Sequence, residues 1–164
     1  MNRILLFVGP TMDQKQIEAL APHVEIYPPV AAGDLLRHSL VAGDLVAIID
    51  GFFYQSASIR HKEILDLLKR GVHVWGAASM GALRAAELFA FGMRGFGQIF
   101  EAYRSGEFDG DDEVTIMHAP EDMDYTNFTE ALANIRYACK CAEEEEVISS
   151  SASCIVIQIA KAIP

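Results

Sequence analysis

The chain is predicted to be a single α/β domain, with a mostly parallel, Rossmann-like sheet flanked by helices and a helical C-terminal part. Three observations predict it. Short apolar runs alternate with helical patterns from residue 4 to residue 88. The connections between them are short, and alternation of that kind builds a parallel sheet with right-handed crossovers. The 164 residues are 51% hydrophobic, enough for one domain with a sizeable core and too apolar for disorder.

Taken in order, Ile4 to Val8 is a continuous apolar run, expected as a central strand buried on both faces. Gly9-Pro10-Thr11 ends it. Asp13 to Leu20 predicts a helix with Ile17 and Leu20 on one face. Val24 to Tyr27 is a short strand stopped by Pro28-Pro29. Ala31 to Leu40 predicts a second helix, with Leu35, Leu36 and Leu40 inward. Leu45 to Ile49 is the next strand, closed by Asp50-Gly51. Ser58 to Arg70 predicts a third helix on the stripe Ile59, Ile64, Leu65 and Leu68, with Gly71 at its end. Val72 to Trp75 is a buried strand, followed by small residues and a run of helix formers from Ala82 to Leu88.

Past residue 90 the alternation gives way to a mainly helical half. Phe91 to Gly97 is a glycine-rich bend, and it follows a helix rather than a strand, so it is no dinucleotide fingerprint. Gly97 to Ser105 reads as a helix, Asp109 to Asp112 as a turn, and Glu113 to Met117 as a further strand. Thr126 to Glu145 has helical periodicity with Leu132, Ile135 and Cys139 inward. Ser150 to Ile163 is read as a helix on which Ile155, Ile159 and Ile163 share a face.

Composition excludes several classes. A net charge of -10 argues against nucleic-acid binding, which needs a basic face. No apolar run is long enough to span a bilayer, and the N-terminal stretch is too short for a signal peptide. Three cysteines, Cys139, Cys141 and Cys154, read as reduced thiols, and the expected location is the cytoplasm. They are too few for a structural zinc site, and no metal or other cofactor is expected.

The chemistry-bearing stretch runs from Gly71 to Leu88. Ser79 falls where a strand turns into a helix, and Ala77-Ala-Ser79-Met-Gly81 nearly matches the nucleophile elbow Gly-x-Ser-x-Gly. The hydroxyl is then offered at the carboxyl end of a strand, beside Gly9 to Thr11 and Asp50 to Phe53, where open α/β sheets bind ligands. The Met80 and Gly81 amides, at a helix N-terminus, suit a developing oxyanion. On this stretch alone, a helix cap is the favoured reading of Ser79.

A serine nucleophile needs a base. Lys62, near the start of the helix after Asp50, is placed on the same rim, and Ser-Lys pairs are a known variant of hydrolase logic. It must be neutral to act, which burial in the cleft and the positive end of its helix favour. The alternative is a solvated lysine. His61 lines the rim or is a plain surface imidazole. Arg84 pairs with Glu87 one turn on, or meets a carboxylate in the cleft. Asp50 serves the cleft or caps the Gly51 turn. His118 is isolated and given no role, and no phosphate-binding sequence is present.

These residues carry a resemblance. Asp50-Gly-Phe-Phe53, His61-Lys62-Glu63-Ile64, the block Gly71 to Glu87, Phe91-Gly-Met93 and Ile99-Phe-Glu-Ala-Tyr103 resemble the TfuA-like proteins; Gly9-Pro10-Thr11 and Asp111-Asp-Glu-Val114 fit as well. The likeness covers about Val8 to His118. It implies a role beside a YcaO enzyme, which uses ATP to activate a peptide amide for backbone thioamidation. It also implies release of sulfide from a ThiS-type sulfur carrier ending in a thiocarboxylate, with the family's Ser-Lys pair falling on Ser79 and Lys62. Arg84, His61 and the helix dipole are then the donors that neutralise the anionic thiocarboxylate, and Asp50 and Thr11 line the rim. Family members usually continue past the segment like Ala160-Lys-Ala-Ile-Pro164, so a shortened C-terminal end is expected. Two other readings compete: a non-catalytic adaptor that tightens YcaO's hold on its peptide, and a nucleotide- or small-molecule-binding domain.

Overall fold

The computed structural model describes residues 2–163. Met1 and Pro164, the outer ends of the N-terminal apolar start and of the shortened terminus expected above, lie outside them. Five strands, β1 (Ile4–Phe7), β2 (Glu25–Tyr27), β3 (Leu45–Ile48), β4 (His73–Ala77) and β5 (Arg94–Phe96), form one sheet in the order β2-β1-β3-β4-β5. Every neighbouring pair is parallel, as the alternating pattern predicts. The order reverses at β1, so the cleft of this doubly wound sheet is expected between the carboxyl ends of β1 and β3.

Helices α1 (Gln14–Leu20), α2 (His61–Lys69), α3 (Met80–Leu88) and α4 (Gln98–Ser105) follow β1, β3, β4 and β5 respectively. Right-handed crossovers send α2 and α3 to one face and α1 to the other. The α2/α3 face holds the main core: Leu5, Phe7, Val46, Ile48 and Val74 from the strands meet Ile64, Leu67, Met80, Ala82 and Ala85. The opposite face is covered less, since α1 has only 7 residues. β1 is therefore not buried on both faces; Ile4 and Leu6 stay half-buried, and Leu20 of α1 is exposed. Helices α5 (Leu132–Glu144) and α6 (Ser150–Ala162) pack on each other in the C-terminal part. No helix among the described residues is long and apolar enough to cross a membrane.

Local expectations fail at identifiable places. Residues 31–40 make only a single 3-10 turn, Leu35–Arg37. Gly33 sits at φ +89°, and the Glu63 carboxylate takes its amide at 2.8 Å, so tertiary contacts replace helical bonds. Leu35 and Leu40 are buried as expected, whereas Leu36 is exposed. The third predicted helix begins at His61, because Ser58 is held in an antiparallel bridge with Ala31. The bend at residues 91–97 contains β5, bracketed by Gly92 and Gly97, both at positive φ. Residues 113–117 form no strand: a 3-10 turn, Asp111–Glu113, leads into a strap that closes with a single bridge between His118 and Asn127. Helix α5 starts six residues later than Thr126, and the Ile155–Ile159–Ile163 face of α6 is exposed. The three cysteines are free, with Cys139 buried and Cys154 exposed.

Candidate functional site

The turn from β4 into α3 is built on two glycines. A Cβ on Gly76 would lie 2.0 Å from the Gly81 carbonyl oxygen, and one on Gly81 would lie 1.8 Å from that of Ile48. Helix α3 thus enters with its backbone against the sheet, which only glycine permits. The left-handed residue of the turn is Ala78, at φ +55°; Ser79 has φ -64° and ψ -117°. The strain of an elbow therefore falls one residue before the position that the sequence match suggests.

Ser79 occupies the N-cap position of α3 but makes no capping bond with its side chain. Its Oγ, in a half-buried residue, donates instead to the carbonyl of Val114 at 3.2 Å. The two expected oxyanion donors differ. The Gly81 amide donates to the Ile49 carbonyl at 3.1 Å and is thereby occupied, a consequence of the close approach of α3 to β3. The Met80 amide has no acceptor among the described residues. Only one of the pair remains to meet an anion.

Lys62 is exposed rather than buried in a cleft. The cause is its place on α2: Ile64 and Leu67 face the core, and Lys62 shares the solvent stripe with Asp66 and Lys69. Among the described residues no hydrogen bond or ion pair joins it to Ser79. Its neighbour His61 does reach α3. One oxygen of Glu87, Oε2, receives both His61 Nε2 at 2.8 Å and Arg84 NH1 at 2.6 Å. Arg84 thus makes the expected pair with Glu87, while its Nε is buried without a partner among the described residues. The three side chains tie the start of α2 to the second turn of α3.

Asp50 is buried at the carboxyl end of β3 and does not cap the Gly51 turn. Its Oδ2 accepts from the Gly9 and Thr11 amides at 2.8 and 3.0 Å, and Oδ1 accepts from the Thr11 hydroxyl at 2.6 Å. Both predicted residues therefore meet at the switch point, where Asp50 shapes the loop after β1. Beside it a cleft of about 670 Å³ opens at the ends of β1 and β2, between Gly9, Pro10, Tyr27, Asp124 and Tyr125. A second groove, of about 980 Å³, runs between α4, α5 and α6. Neither is lined by Ser79 or Lys62.

Beyond the strand expected at residues 113–117, which is absent, periodicity gave no signal for the strap. His118, isolated in sequence, is 3% exposed, lies between Phe52 and Tyr125 with ring centroids 5.3 and 5.6 Å away, and donates Nδ1–H to the Ala119 carbonyl. Gln55 fixes its backbone, donating to the His118 carbonyl at 2.7 Å. The strap therefore covers the ends of β3 and β4. Among the described residues no group of three or more His, Cys, Asp or Glu side chains is placed to hold a metal ion.

Fold and rim together define a doubly wound α/β protein that presents a serine at the carboxyl end of its fourth strand. The profile of the family described as "TfuA-like protein" matches residues 50–164, and the chain belongs to that family. Its members are associated with YcaO enzymes in peptide thioamidation. No curated protein matches the chain.

Proposed function

We propose that this chain releases sulfide from a thiocarboxylated, ThiS-type carrier protein for YcaO-dependent thioamidation of a peptide backbone. The observation that carries the reading is the Ser79 hydroxyl, which stands at the strand end without capping its own helix. Docking of the carrier covers the α2 and α3 starts and takes Lys62 out of water, which favours the neutral amine. The hydroxyl proton passes to Lys62, Oγ bonds to the carbonyl carbon of the carrier's terminal glycine, and the Met80 amide supports the oxyanion. Lys62 hands that proton on to the sulfur as the C–S bond breaks, and hydrosulfide leaves with the electron pair. Water then cleaves the ester, restoring Ser79 and leaving a carboxylate on the carrier. Arg84, paired with Glu87 through NH1, keeps a buried Nε with no partner among the described residues, and that N–H is the donor for the anionic substrate.

The exposed position of Lys62 favours a second reading, in which the chain is an adaptor that tightens YcaO's hold on its peptide. The two are separated by Ser79→Ala and Lys62→Ala, each assayed for sulfide release from a thiocarboxylated carrier and, separately, for YcaO binding. The hydrolase reading expects Ser79→Ala to lose at least about a thousandfold in rate and Lys62→Ala about a hundredfold, with YcaO binding retained. Unchanged release in both variants leaves the adaptor.

A further inference from the structure

Val114, whose carbonyl receives the Ser79 hydroxyl, is held from both sides. On one side Glu113 is 1% exposed, and its two carboxylate oxygens accept from Arg136 Nε and NH2 of α5 at 2.8 Å each. Lys161 of α6 stands 3.8 Å from the same carboxylate. On the other side the Thr115 amide and hydroxyl turn back onto the Asp111 carbonyl at 3.0 and 2.6 Å. Tyr103 of α4 donates its hydroxyl to the Gly110 carbonyl at 2.8 Å, closing the base of the turn.

An ion pair that buries its carboxylate is a poor way to gain stability, because apolar residues of similar volume do as well or better. What a two-pronged guanidinium–carboxylate contact supplies is direction. Here it fixes the orientation of Glu113 and so of the peptide that follows it. We propose that Glu113, locked by Arg136, is a positioning residue for Ser79: it holds the Val114 carbonyl where it keeps the serine hydroxyl away from its own helix. Without that acceptor, the hydroxyl turns to an amide of the first turn of α3 other than the occupied one of Gly81, the usual choice of a serine at an N-cap, and it is no longer presented at the rim. The inference rests on the reading of Ser79 as the nucleophile. Glu113 touches no carrier in this scheme, so its loss lowers kcat and leaves KM alone.

The test uses the full chain and a thiocarboxylated ThiS-type carrier. Glu113→Gln is expected to lower kcat at least tenfold with KM within twofold of the parent, and Arg136→Lys to lose less than Glu113→Gln. A double variant, Glu113→Leu with Arg136→Met, separates direction from packing. It is expected to melt near the parent temperature while kcat stays low, and a crystal structure of it to show the Ser79 hydroxyl turned onto an amide of its own helix. A folded double variant with kcat within twofold of the parent, or with the Ser79–Val114 bond intact, overturns the proposal. Ser79→Ala reports on the nucleophile reading by itself: full sulfide release there removes that reading, and this one with it, whatever the Glu113 variants do.

Discussion

At the scale of single residues, the turn into α3 rests on Gly81, whose missing Cβ lets the helix lie on the Ile48 carbonyl. An alanine there must push backbone from backbone, with no flexible side chain to yield. We expect Gly81→Ala to cost about 3 kcal/mol or more, at the high end for overpacking. Gly92 makes the control: it has φ +101° and open space around it, so Gly92→Ala costs about 1–2 kcal/mol of backbone strain alone. Urea midpoints at unchanged slope measure both; equal costs would mean that the approach to the Ile48 carbonyl is not what selects the glycine at Gly81. The smallness of residues 76–78 was legible in the sequence, and so was the need for room beside Ser79. The use of the Gly81 amide was not, because its acceptor, the Ile49 carbonyl, lies just past the end of β3, some thirty residues back in the chain. The same holds for Asp50, whose partners Gly9 and Thr11 lie about 40 residues away.

At the scale of elements, the edge strand β2 has only 3 residues and is tied to β1 by side chains. Arg3 donates through Nε and NH2 to both oxygens of Glu25, at 2.8 and 2.7 Å, and the Tyr27 hydroxyl adds a bond at 2.9 Å. The Arg3 bonds, then that of Tyr27, lower the Glu25 carboxyl from its ordinary 4.5 to about 2. A depressed carboxylate stabilises the fold above its unfolded value. That contribution is whole above about pH 4.5 and is lost as pH falls toward 2. The Glu25 side chain is 40% exposed, so the amount is held to about 1 kcal/mol or less. Glu25→Gln is expected to flatten the stability curve between those two pH values, and an unchanged slope would show the pair to be inert. β1, β2, β3, β4 and α2 were legible because apolar period and turn residues agree there. β5 was not: it has three residues between glycines, and its Gly95 gives up a side chain so that the Phe100 ring can pack against the strand. The predicted helix at residues 31–40 failed for the opposite reason, a good local pattern overruled by the long-range Gly33–Glu63 bond.

At the scale of the whole molecule, the pattern of strands and helices implies a parallel sheet but not its order, since each pairing joins residues distant in the chain. The join between sheet and C-terminal part is harder still to foresee, because much of it is polar. Ser79 to Val114, Gln55 to His118, Tyr103 to Gly110 and Arg136 to Glu113 are hydrogen bonds or ion pairs between side chains and a strap without repeating structure. Such a segment opens locally, at a free energy below that of global unfolding. Within it the Ala119 amide donates to the Thr126 carbonyl and the Phe128 amide to that of Met117, each at 2.8 Å. Gln55 anchors this pair of bonds from the loop after β3, so Gln55→Ala removes about one hydrogen bond from the closed strap. Amide exchange at Ala119 and Phe128 is then expected to quicken about tenfold, the equivalent of roughly 1.4 kcal/mol, while the amides of β1 and β3 keep the parent rate. Faster exchange in the strands to the same degree would mean that strap and sheet open together. In that case the cover over Ser79 moves only when the whole domain unfolds.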